Sequence, residues 1–151
     1  MTGQVPIARL DGSDHTRRLR LRARHRLWVS GEDQLFSFKD TLQVYVTGNP
    51  SGADGYLEAP AVGPGQVWVI TNVVVEDEDT DLTSLRVCRF SGGVGYCFGC
   101  TTRAIPKTDR TCWHGLEHAR AGDVIRATLI GCQAADTCYL WITGYVMTEE
   151  V

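Results

Sequence analysis

The stretch QVWVITNVVVED, Gln66 to Asp77, decides the fold class. Seven of its twelve residues are β-branched and an eighth is Trp68. Such side chains lose rotamer freedom in a helix and pack well on a pleated surface, so the segment is predicted to be a strand. The acidic run EDEDTDL, residues 76–82, follows it as an exposed turn. Beyond the turn, TSLRVCRFSG (83–92) sets Leu85, Val87 and Arg89 against Arg86, Cys88 and Phe90, and VGYCFGCTT is a short strand after a glycine turn. Upstream, QLFSFK (34–39) and TLQVYVTG (41–48) lead into a loop, NPSGADG, with Leu42, Val44 and Val46 sharing one face. Near the end, DVIRATLIG and TCYLWITGYVM are expected to pair as a hairpin around CQAAD.

Strands and turn signals recur about every ten residues, which predicts an all-β chain, an antiparallel β-sandwich or jelly roll. The one competing helix is RTCWHGLEHARAG (110–122). Trp113, Leu116 and Ala119 fall three apart there, yet Gly115 interrupts them, so helix and strand both stay open. The 151 residues are enough for one domain that buries roughly two thirds of its unfolded surface. The division expected is a basic N-terminal arm over 1–30 and a sandwich over 31–151. No apolar run approaches the ~20 residues that span a bilayer, and no secretory signal pattern opens the chain, so synthesis in a cytoplasm is expected.

The arm is the odd part. TRRLRLRARHRLW (16–28) alternates arginine with apolar residues at period two. A strand sorts them, with Arg18, Arg20, Arg22, Arg24 and Arg26 on one side and Leu19, Leu21 and Leu27 among those on the other. A helix would scatter both sets, and a disordered basic tail would need no leucines. Residues 1–30 hold seven arginines against two aspartates, a net charge of +5, while the remainder holds eight basic against sixteen acidic residues, a net of −8. An arm on one subunit can therefore seek an acidic body on another, with Glu76, Asp77, Glu78, Asp79 and Asp81 as counter-surface. Nucleic acid is the weaker partner for such an arm, given the acidic body and the leucine alternation.

Six cysteines and four histidines lie in the chain. Cys132 and Cys138 flank a five-residue loop and are the first candidates for a disulfide, with Cys100 and Cys112 next. Cys97, Cys100, Cys112 and His114 have the donors for a tetrahedral zinc site if neighbouring strands bring them together. The alternative is that a sandwich buries reduced cysteines as small hydrophobes. HGLEH (114–118) matches a zinc-protease pattern, but on a strand its imidazoles would stand ~13 Å apart. No nucleophile elbow, phosphate loop or dinucleotide fingerprint occurs, so no catalytic residue and no cofactor are assigned. The acidic run lacks the spacing of an EF-hand loop. Trp68 and Trp141 sit within apolar strands and are expected in the core.

LEAPAVGPGQVWVITNVVV (57–75) and RAGDVIRATLIGCQAADTCYLWITGYVM (120–147) resemble the small β-sandwich virion proteins of tailed phages. The likeness covers about 55–147 and lies in the Pro-x-Gly-x-x-Trp-Val start of one strand, a Gly-Asp strand, a Gly-Cys turn and a final Gly-Tyr strand. The basic arm and the cysteine cluster depart from that pattern. The resemblance implies a jelly-roll capsid decoration, cement or head-spike protein, non-enzymatic and often trimeric, on the capsid surface. Its partners would be copies of itself and the major capsid protein, with no membrane. A carbohydrate- or receptor-binding sandwich of a phage surface or tail is the alternative.

Overall fold

The computed structural model describes residues 20–22, 26–28 and 36–149. Among the described residues ten strands follow one another: β1 (Arg20–Arg22), β2 (Arg26–Trp28), β3 (Phe36–Gly48), β4 (Asp54–Glu58), β5 (Gln66–Asp77), β6 (Ser84–Ser91), β7 (Val94–Thr101), β8 (Thr111–Arg120), β9 (Val124–Ile130) and β10 (Cys138–Glu149). The first sheet of the body has the order β3-β10-β5-β8 and the second the order β4-β9-β6-β7. The pairs β3/β10, β4/β9, β5/β8 and β6/β7 are nested antiparallel partners. The body is therefore one long ribbon, reversed at the β6–β7 turn and wound into two facing sheets. That is the jelly-roll form of a β-sandwich.

Period-two burial makes the core. In β9, Ile125, Ala127 and Leu129 are fully buried, and in β10 so are Leu140 and Ile142. In β5 the core-facing set steps from Trp68 and Ile70 to Val73 and Val75. That change of parity marks one extra residue, and the β5–β10 register shifts between Thr143 and Gly144 accordingly. Gly144 is what lets the chains approach there: a Cβ on it would stand 2.0 Å from the Val69 carbonyl oxygen. The reversal of the ribbon rests on Gly92 and Gly93, both at positive φ (56° and 83°). A two-residue hairpin turn matched to strand twist needs that conformation at both positions.

Three expectations change. The open segment 110–122 is strand β8 from Thr111 to Arg120, because its partner β5 would otherwise lose an edge of backbone hydrogen bonds. QLFSFK and TLQVYVTG merge into the 13-residue β3. The predicted β9–β10 hairpin does not form. β9 pairs with β4 and β6 in the second sheet, β10 with β3 and β5 in the first, and residues 131–137 cross between the sheets. The short polar loop looked like a hairpin turn, but each strand's partners lie far away in sequence.

Candidate functional site

The basic arm has a sheet of its own. β1 and β2 pair antiparallel with the register Arg20↔Trp28, Leu21↔Leu27 and Arg22↔Arg26, and they belong to neither sheet of the body. The expected single ribbon is thus a reversal, since backbone groups of a lone strand need partners and a hairpin supplies them locally. Arg20, Leu21, Arg22, Arg26 and Leu27 fall in these strands. Arg18, Leu19 and Arg24 lie outside the described residues.

The acidic run is less open than a solvated turn. Glu76 and Asp77 complete β5 and are buried, at 8% and 2% exposure, while Glu78, Asp79 and Asp81 are exposed. Glu76 Oε2 accepts from Arg110 Nε at 2.8 Å. Asp77 Oδ1 accepts from the backbone N–H groups of Asp79 and Thr80, at 2.9 and 3.0 Å. Asp79 Oδ2 takes the Thr137 N–H and Asp81 Oδ1 the Lys107 N–H. An acidic counter-surface here narrows to the exposed members, Glu78, Asp79 and Asp81.

The outer face of the first sheet carries an aromatic platform. Leu140 and Ile142 fill the inward positions of β10, so Tyr139 and Trp141 take the outward ones. Trp141 is therefore half-buried on the surface and not in the core, whereas Trp68 is a core residue as expected. Tyr45 of β3 is the direct partner of Trp141. Ring centroids lie 5.7 Å apart for Tyr45–Trp141, 6.2 Å for Tyr45–Tyr139 and 5.3 Å for Tyr139–Trp141. Arg110 lies over Trp141 at 5.5 Å while paired with Glu76. Burial, then the neighbouring Glu78 carboxylate, raises the Tyr139 hydroxyl pKa and keeps it a proton donor. Flat apolar rings edged by a guanidinium, a phenol and a carboxylate suit a polar ligand with an apolar face. The signal was present in Y-L-W-I, which alternates at period two.

The cysteines sort differently from the expectation. Cys88 and Cys97, direct neighbours across β6 and β7, form a disulfide. Cys97 is thereby removed from the proposed zinc set of Cys97, Cys100, Cys112 and His114. Cys132 and Cys138 are buried free thiols. Burial pushes both thiols up, with Asp77 adding to the effect at Cys138, so they stay protonated and unreactive. Cys100 and Cys112 are exposed free thiols on the edge strands β7 and β8. They line a cleft of about 270 Å³ between the sheets, together with Leu85, Val87 and Trp113.

Strand geometry also separates the imidazoles of HGLEH, His114 and His118, along β8. Glu117 serves structure instead: its carboxylate accepts from Arg89 Nε at 2.8 Å, and Arg89 also reaches Asp123 at 3.0 Å. This network joins the two sheets. Burial opposes the charge on Asp123, but the Arg120 backbone N–H, the Ser91 hydroxyl and the Arg89 guanidinium outweigh it and hold the carboxyl below its ordinary pKa.

No known family model and no curated protein matches the chain. Among solved structures it is similar to a chain described as "CBM4 structure and function", at 18% identity and a TM-score of 0.30, over 73% of this chain and 84% of that one. It is also similar to a chain from "Structure of infectious bursal disease virus Gx strain", at 8% identity and a TM-score of 0.36, over 96% of this chain and 44% of that one. The fold assignment rests on the strand order itself.

Proposed function

We propose that the chain is a virion structural protein of a tailed phage, a capsid decoration, cement or head-spike component. It acts without catalysis, docking on the major capsid protein through its N-terminal arm and bridging neighbouring subunits. The observation that carries this reading is the separation of the arm: an arginine-rich hairpin that joins neither sheet, attached to a sandwich of opposite net charge. Guanidinium groups bind carboxylates bidentately, which favours a protein lattice rich in acids. The resemblance of residues 55–147 to phage β-sandwich virion proteins supports the same assignment, with a trimer as the expected oligomer. The test is to mix the protein, and a version lacking residues 1–30, with undecorated capsids of the phage that encodes it. The full chain should co-sediment and the truncated one should stay in solution while keeping its β-sheet circular dichroism. Normal decoration by the truncated chain would end the arm proposal.

A second reading, a carbohydrate- or receptor-binding sandwich, is favoured by the Tyr45–Tyr139–Trp141 platform. A glycan array probed with the protein and with Trp141→Ala separates the two. Glycan binding lost in the variant, with capsid binding intact, assigns the platform to sugar.

A further inference from the structure

The far end of the first sheet gathers three aspartates: Asp77 at the end of β5, Asp79 in the loop after it and Asp136 in the loop before β10. One ligand oxygen from each of Asp77, Asp79 and Asp136 lies within 4.8 Å of the others. Asp77 and Asp136 are buried, at 2% and 6% exposure, and Asp79 is exposed. Three like charges this close, two of them out of water, repel strongly unless something neutralises them. Among the described residues, no basic side chain forms an ion pair with any of the three.

A second observation points to what is missing. Asp77 Oδ1 is satisfied by two backbone N–H groups, but among the described residues the buried Asp77 Oδ2 has no N–H or O–H donor, and the group beside the carboxylate is the Cys138 thiol, a weak donor. A buried carboxylate oxygen with free lone pairs is costly as it stands. A cation would satisfy it more fully than a thiol can. The surrounding backbone already holds the carboxylates in place: Asp79 Oδ2 takes the Thr137 N–H at 2.7 Å, and Asp136 Oδ2 takes the Gln133 N–H at 2.6 Å. The Asn49 side chain clamps the same loop from β3's end by donating to the Ala135 and Asp136 carbonyl oxygens, both at 3.0 Å.

We infer that Asp77, Asp79 and Asp136 form a calcium site that ties the loop after β5 to the loop before β10. The donors are all hard oxygens, which excludes a preference for soft metals, and two loops with a solvent-facing side leave room for water and the irregular six to eight ligands calcium accepts. Magnesium, which demands a compact octahedron and parts with water reluctantly, is the poorer fit. The calcium site does not depend on the capsid reading, although Asp79 also belongs to the exposed acidic face.

The test uses the full chain stripped with EDTA. Titration calorimetry with calcium chloride should give one site with a dissociation constant on the order of 10⁻⁵–10⁻³ M. At a hundredfold excess over that constant the melting temperature should rise by about 5–10 °C, with a smaller rise in magnesium. Asp79→Asn keeps an oxygen for Thr137 and sits on the exposed side, so it should fold and lose at least about tenfold in affinity. Asp81→Asn, outside the cluster, should bind like the parent. No heat and no melting shift in the parent chain at 10 mM (~) calcium would overturn the site, as would equal loss in Asp79→Asn and Asp81→Asn.

Discussion

The outer faces of the two sheets carry similar side chains and use them differently. On the second sheet, the Arg126 guanidinium lies 4.2 Å from both the Tyr56 and the Phe90 ring and is anchored by Glu58. The two rings share the protein's own cation, although Tyr56 is still 51% exposed. On the first sheet, Tyr45, Tyr139 and Trp141 stack on one another, and Tyr45 remains 55% exposed. The first arrangement stabilises the fold. The second leaves ring surface for something else. Both faces carry a guanidinium, Arg126 shared by two rings and Arg110 over Trp141 alone; what separates them is that the three rings of the first sheet also meet one another directly.

The largest expected effect removes the frame on which the open face is built. Gly144→Ala forces a Cβ onto the Val69 carbonyl, a backbone atom that cannot swing away. Chemical denaturation should show a loss of about 3 kcal/mol or more, or no folded protein. Next comes the seam that holds the two faces back to back. Asp123→Asn should cost about 1–2 kcal/mol at neutral pH. Because the folded carboxyl is depressed, its contribution is present above the ordinary carboxylate pKa and fades as pH falls through the folded value. Melts of parent and variant should therefore converge in acid, and a gap independent of pH would show that charge on Asp123 contributes nothing.

Arg126→Ala tests the second sheet's face directly and should cost about 1 kcal/mol, through two lost ring contacts and one partly exposed ion pair. Tyr45→Ala should cost under about 1 kcal/mol, because the ring is half in water and its loss removes two solvent-facing ring contacts, to Trp141 and Tyr139. If Tyr45→Ala proves the more destabilising of the two, the contrast drawn between the faces is inverted.

Much of the fold was readable where strands announce themselves locally. The β-branched run of β5, the Gly92–Gly93 reversal and the alternation of Ile125, Ala127 and Leu129 are all periodic or turn signals, and they led to a sandwich. Partnership was not readable. Cys132 and Cys138 stand six apart in sequence but are flanked by strands of different sheets, and nothing local reports that. Cys88 finds Cys97 through register across a hairpin, which neither spacing nor composition specified. The outward side of Trp141 is not legible either, because an apolar run hides which parity faces water. The aspartate cluster shows the same limit, since Asp136 joins residues nearly sixty positions earlier only once the ribbon has wound.

The pairing of β10 with its neighbours gives the body two distinct tips. At one, Cys138 lies beside Gly48 and Asp77; at the other, Glu149 lies beside Phe36, the first described residue after the arm. About 36–40 Å of strand separates them. Asp77, Asp79 and Asp136 therefore gather at the tip opposite Phe36. Any partner that binds those carboxylates meets the body at that tip alone, and a second copy bound there by a different surface makes a heterologous contact, whose tilt decides between a closed ring and a filament.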